Sequence, residues 1–104
     1  MLTGYTARPD FIQKITWIVL NHDERIEYIE SVIAFHFGNR FLVEVSIVLP
    51  GEMSMRQSHD LCEMLQAKIE RLPEVERAFI HIDYECDWIV KGRKLSKSNG
   101  RSKV

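Results

Sequence analysis

Apolar residues recur at helical spacing at the start of the chain. Phe11, Ile12, Ile15, Ile18 and Val19 form one stripe, which predicts a helix opened by Arg8-Pro-Asp-Phe. Pro9 suits a first turn because its missing N–H is not needed there, and Asp10 favours the positive end of the helix. The polar run Asn21-His22-Asp23-Glu24 closes it. The period then changes to two. Ile29, Ile33, Phe35 and Phe37 alternate with Glu30, Val32, Ala34 and His36, and the first set reads as the greasier side of a strand, with Phe35 and Phe37 facing the core or a partner. After the turn signal Gly38-Asn39, a second strand places Phe41, Val43, Val45, Ile47 and Leu49 on one side and Leu42, Glu44, Ser46 and Val48 on the other. Pro50-Gly51 ends this hairpin. Ser54 followed by Gln57 is a capping-box pattern, and Leu61, Leu65, Ile69 and Leu72 continue as a helical stripe that Pro73 stops. A last strand runs from Val75 to about Glu85, with Ala78, Ile80, Ile82 and Tyr84 opposed to Arg77, Phe79, His81 and Asp83.

The order α-β-β-α-β, with one apolar stripe per helix, predicts an α+β open sandwich. Its compact form is a three-stranded mixed sheet with two helices on one face, ferredoxin-like or metallochaperone-like, joined by a right-handed strand–helix–strand crossover. Such a sheet leaves its second face uncovered and apolar enough to invite a partner. Residues 1–8 read as a linker, 9–88 as the folded domain and 89–104 as a basic tail.

Size and charge narrow the classes. The chain has 104 residues and a formal net charge of -1, which hides an asymmetry. Lys91, Arg93, Lys94, Lys97, Arg101 and Lys103 fall in the tail with no acid, so eight basic residues face all fifteen acids in the remainder. An acidic body argues against nucleic acid as a partner and suits a cation. The Ser, Gly, Asn and Lys content of the tail predicts disorder, with contact to an anionic membrane surface as the alternative. No apolar run reaches the ~18–20 residues of a membrane span, and Met1–Asp10 lacks the apolar core of a signal peptide. Cys62 and Cys86 have no C-x-x-C spacing, which excludes a zinc finger or a disulfide framework and fits a reducing compartment. Trp17 is free to meet a neighbour, and Trp88 to pack over the end of the last strand.

No phosphate loop, nucleophile elbow or H-E-x-x-H motif is present, and Ser46 and Ser58 have no evident base, so the sequence does not read as an enzyme. The histidines are more informative. His81 and Asp83 leave the same face of a strand with Cα atoms ~7 Å apart, which suits either two ligands for a divalent cation or an exposed histidine beside a solvating acid. His22 and Asp23 stand where the first helix ends, as a deliverable ligand or as a cap on the last carbonyls. His59 lies ~120° from the centre of the second helix's apolar stripe, on a polar flank with Glu63, Gln66 and Glu70. His36 reads as structural or solvent-facing.

The stretch from about Pro9 to Asp87 resembles the C-terminal cytosolic domain of cation diffusion facilitator transporters, in particular the manganese-type group of plants, fungi and algae. Asn21-His22-Asp23, Phe37-Gly38, Leu42-Val-Glu-Val, Val48-Leu-Pro, Ser58-His-Asp-Leu, Glu63-x-Leu-Gln and Leu72-Pro-Glu-Val-Glu-Arg-Ala-Phe-Ile-His-Ile-Asp carry the resemblance by their order and spacing. It implies a homodimer on the cytosolic face of a membrane, joining two protomers of a divalent-cation/proton antiporter for manganese or zinc through the transmembrane domain of the same polypeptide. It also implies a metal-sensing role, with His22, His59, His81 and Asp83 matching family ligand positions. Ser46 departs from the pattern, because family members often place histidine or aspartate there. A hydroxyl is a poor ligand for manganese or zinc, which weighs against a full two-metal cluster and for a weak or vacant one. The alternatives are a constitutive dimer clamp without metal sensing, a free-standing metallochaperone-like carrier, and a small enzyme or ligand-binding module on the same superfold.

Overall fold

The computed structural model describes residues 8–84. The expected linker before Arg8, Trp88 and the basic tail lie outside the described residues. Helix α1 spans Pro9–Leu20, β1 Tyr28–Phe37, β2 Arg40–Leu49, α2 Met55–Glu70 and β3 Val75–Tyr84, in the α-β-β-α-β order expected. The sheet order is β1-β2-β3, with β1 antiparallel and β3 parallel to β2, so the sheet is mixed. Both helices bury their stripes against one face of it. Phe11, Ile15 and Val19 of α1 and Leu61, Leu65 and Ile69 of α2 share one core with Val43, Val45, Ile47 and Leu49 of β2.

Local chemistry sets the element ends. Pro9 opens α1, and the Ser54 hydroxyl accepts from Gln57 N at 3.0 Å while Gln57 Oε1 accepts from Ser54 N at 2.9 Å. Two of the free donors at the start of α2 are thereby satisfied. The β1–β2 hairpin turns at Gly38, whose φ of 64° is unfavourable for a residue with a β-carbon.

The facing of β1 differs from the sequence expectation. The antiparallel register slips between Ile29 and Ser31, so Glu30 is an extra residue in the ladder. This bulge inverts the alternation. Ile29 lies against the core, and beyond the bulge Val32 and Ala34 face it, with Ala34 fully buried opposite Val43. Ile33, Phe35 and Phe37 are turned to the uncovered face, so Ile29 and these three, which the alternation put on one side, lie on opposite sides. The small Ala34 side chain leaves room for α1, which packs over β1. His36 stays exposed at the core-facing edge, where its ring stacks on Phe41 at 4.9 Å, and Phe41 stacks on Phe11 at the same distance.

Adjacent residues on α2 should therefore differ sharply. Leu65→Ala is expected to cost about 2–5 kcal/mol in urea unfolding. Met64→Ala, at a position that is 64% exposed, should stay within about 0.5 kcal/mol of the parent.

Candidate functional site

The uncovered sheet face is a set of cross-strand rows. Ile33, Glu44 and Phe79 form one, Phe35, Leu42 and Arg77 the next, and Ser31, Ser46 and His81 a third. Strand periodicity puts Asp83 on this face two residues beyond His81, beside Val48. His81 is exposed, and its Nε2 stands 3.8 Å from Glu44 Oε2. Ser46 is its direct neighbour in the ladder and offers only a hydroxyl beside it.

Around the outer edge of β3 runs a shallow groove of about 780 Å³ between that strand and α2. His81, Glu44 and Phe79 line it from the sheet, and His59, Cys62 and Glu63 from the helix. Two of the four sequence-derived metal candidates, His59 and His81, thus share one concavity, whereas Asp83 and His22 are not among its lining residues. His59 belongs to an exposed donor group with Asp60 and Glu63, whose ligand atoms lie within 4.8 Å of one another. Its Nδ1 is 3.3 Å from Asp60 Oδ1 and 3.9 Å from Glu63 Oε1. Burial pushes the Cys62 thiol up, so it stays protonated and offers the groove no thiolate. At the far end, Tyr84 Oη donates to Ser58 Oγ at 3.0 Å, and the buried Ser58 hydroxyl donates to Ser54 O at 3.1 Å, tying the end of β3 to the start of α2.

His22 is engaged elsewhere. Its Nε2–H donates to the Leu61 carbonyl of α2 at 3.0 Å, which fastens the end of α1 to the neighbouring helix. Nδ1 is left as the bare nitrogen, buried and without a partner among the described residues. A histidine whose other ring nitrogen donates to a backbone carbonyl has the tautomer a metal ligand needs. In this conformation, however, that nitrogen is enclosed by the protomer itself. Next to it, Asp23 accepts from the Arg25 guanidinium at 2.8 and 2.9 Å.

Sequence reasoning missed Glu44, the acid nearest His81. Its signal is a charged residue interrupting an otherwise apolar strand. It also missed that, among the described residues, no lysine or arginine lines the groove, which follows from how α2 sits over β3.

The family model for the cytoplasmic domain of cation efflux proteins matches residues 7–85. The chain belongs to the cation efflux family. Within it, the chain corresponds to the cytoplasmic domain and has no helix among its described residues long and apolar enough to cross a membrane. Over 84 residues it is 49% identical to Metal tolerance protein 5 of Oryza sativa subsp. japonica and 50% identical to Metal tolerance protein 10 of Arabidopsis thaliana, covering 81% of this chain and 20% of each relative. The chain therefore spans about a fifth of the length of the curated relatives it matches. Its fold is that of CzrB in a zinc form, with a TM-score of 0.70 at 20% identity over 81% of this chain and 94% of that one. The MamM-CTD superposes with a TM-score of 0.65 at 16% identity, covering 75% of this chain and all of that one.

Two predictions for this cation efflux domain follow from the junction between α1 and α2. His22→Ala removes the bond to Leu61 and should lower unfolding free energy by about 1 kcal/mol. Hydrogen bonding from Arg25 holds the Asp23 carboxyl at about 2, below its ordinary 3.8. That stabilisation is complete above the ordinary value and is lost as pH falls through about 2. Asp23→Asn should accordingly flatten the acid limb of a stability-against-pH curve between those values while leaving its neutral shape unchanged.

Proposed function

We propose that this domain dimerises through its uncovered sheet face, at the cytosolic side of a divalent-cation/proton antiporter for manganese or zinc, and that it responds to the metal. The membrane-spanning partner is the remainder of the same polypeptide, in keeping with relatives about five times as long that are called metal tolerance proteins. One observation carries the reading. The face left bare by both helices combines apolar side chains, Ile33, Phe35 and Leu42, with the potential ligands His81 and Asp83. Apolar area drives association. Metal donors on the same surface make that association sensitive to metal.

The donor chemistry fits a shared or weak site better than a complete one. Zinc takes four ligands, and one protomer offers His81 and Asp83 here with the Ser46 hydroxyl between strands where a better donor would complete the set. Two such faces brought together double the donors. His59 is the next contributor, through the groove it shares with His81, and His22 joins only if its bond to Leu61 opens. A cation between two acidic bodies also offsets their mutual repulsion, a term that salt weakens. The gain is small. A 10- to 100-fold preference for one dimer arrangement is about 1.4–2.7 kcal/mol, enough to bias an equilibrium. Histidine ligands must be neutral to bind, so the response should weaken on acidification.

The second reading, a constitutive clamp without metal sensing, draws on Ser46 and on the engagement of His22 with α2. Sedimentation at micromolar concentration should give a mass near twice 12.2 kDa. Leu42→Glu, beside Arg77 on the same face, should give a folded monomer. Zinc and manganese titrations by calorimetry should lose most of their heat in His81→Ala. A dimer that takes up neither metal would leave the clamp.

A further inference from the structure

The outer edge of β3 is closed at one residue and open beyond it. In a parallel ladder, alternate residues turn their backbone groups toward the partner strand and the rest turn theirs outward. Ala78 is of the outward kind. Its N–H donates to Glu70 Oε2 at 2.9 Å and its carbonyl accepts from Gln66 Nε2 at 2.8 Å, so side chains of α2 take the place of a further strand. Glu70 is fixed in turn by Arg77 at 3.4 Å. Ile80 and Ile82 have the same phase, and their outward N–H and C=O groups open into the groove that both residues line. No side chain among the described residues bonds them there. An edge with free donors and acceptors is a template for an added strand.

Charge identifies the strand that fits. Elsewhere among the described residues, acids in ion pairs meet an arginine or a lysine, as Asp23 does with Arg25, Glu74 with Lys14 and Glu76 with Arg40. The acids about the groove do not. Asp60 and Glu63 have only His59 within ion-pair distance, and Glu44 only His81, among the described residues. A groove so charged attracts a cationic segment. It repels a second copy of this chain, whose matching edge would bring the same acids together. A strand seated at Ile80 and Ile82 directs alternate side chains beneath α2, toward Asp60 and Glu63, and the others to the bare side, beside Phe79. Phe79 is 39% exposed and apolar. The matching sequence therefore carries lysine or arginine at every second position, with apolar or β-branched residues between.

We propose that the β3 edge at Ile80 and Ile82 captures an extended basic segment of a partner protein, through backbone pairing and through lysine or arginine against Asp60, Glu63 and Glu44. The pairing stops at Ala78, whose outward groups are already taken. The proposal goes beyond the dimer and metal reading and does not rest on it, because the pairing groups lie on the edge of the strand and not on the bare face.

The test is an NMR titration of the full chain, in chelator at neutral pH and low salt, with the capped probe peptide Lys-Val-Lys-Val-Lys-Thr-Lys. Ile80 and Ile82 amides should gain about tenfold protection from hydrogen exchange, while the already bonded Ala78 amide and the interior Ile47 amide keep their rates. Asp60→Asn combined with Glu63→Gln, both at exposed positions, should weaken binding by about fivefold. A probe methylated on two successive central amide nitrogens keeps every charge but loses a pairing donor in either register, and should protect neither isoleucine. Unchanged exchange at Ile80 and Ile82 with the parent probe would overturn the proposal. Equal binding by the methylated probe would do the same, as the mark of charge attraction alone. So would protection of both amides before any peptide is added, the sign of an edge already filled by a second copy or by the chain itself. Because no metal is present, failure of this contact is distinguishable from failure of metal sensing.

Discussion

Val43, Val45, Ile47 and Leu49 make β2 a strand whose inward row is wholly out of contact with water, and the other elements are placed by covering it. Two neighbouring strands satisfy its backbone on both edges, and two helices, each with one apolar stripe, are enough to seal one side. Among the described residues no element seals the other. The bare face and the open edge of β3 are therefore consequences of the same economy that makes the core, and the residues with chemistry to offer sit on those two surfaces.

The parts legible in the sequence are those governed by local physics. Pro9, the Ser54–Gln57 box and Pro73 mark helix limits through backbone geometry, and the alternation of β3 holds from Arg77 onward, past the one extra residue at Glu76. In β1 the same reasoning puts on one face residues that lie on two. Ile29 shares a period with Ile33, Phe35 and Phe37, but the bulge at Glu30 leaves no compositional trace and sends the last three to the face opposite Ile29. His22 shows a second limit. Its partner is 39 residues away, so neither capping nor metal binding, the two roles its position suggests, describes its bond to Leu61. The groove is still less visible, because it exists only once α2 has settled against β3.

Family membership and residue chemistry carry different weights here. The match over residues 7–85 accounts for the architecture and for the place of the chain at the cytoplasmic side of a cation efflux protein. It does not say how well this particular chain holds a metal, since Ser46 beside His81 and the enclosed Nδ1 of His22 are particulars of this sequence and its packing.

The bulge at Glu30 has a further consequence for tolerance to substitution. By sending the aromatic side chains of β1 to the bare side and the small Ala34 to the packed side, it separates the side chains displayed on that face from those that keep the domain folded. Substitutions on the bare side can accumulate with little penalty to the interior.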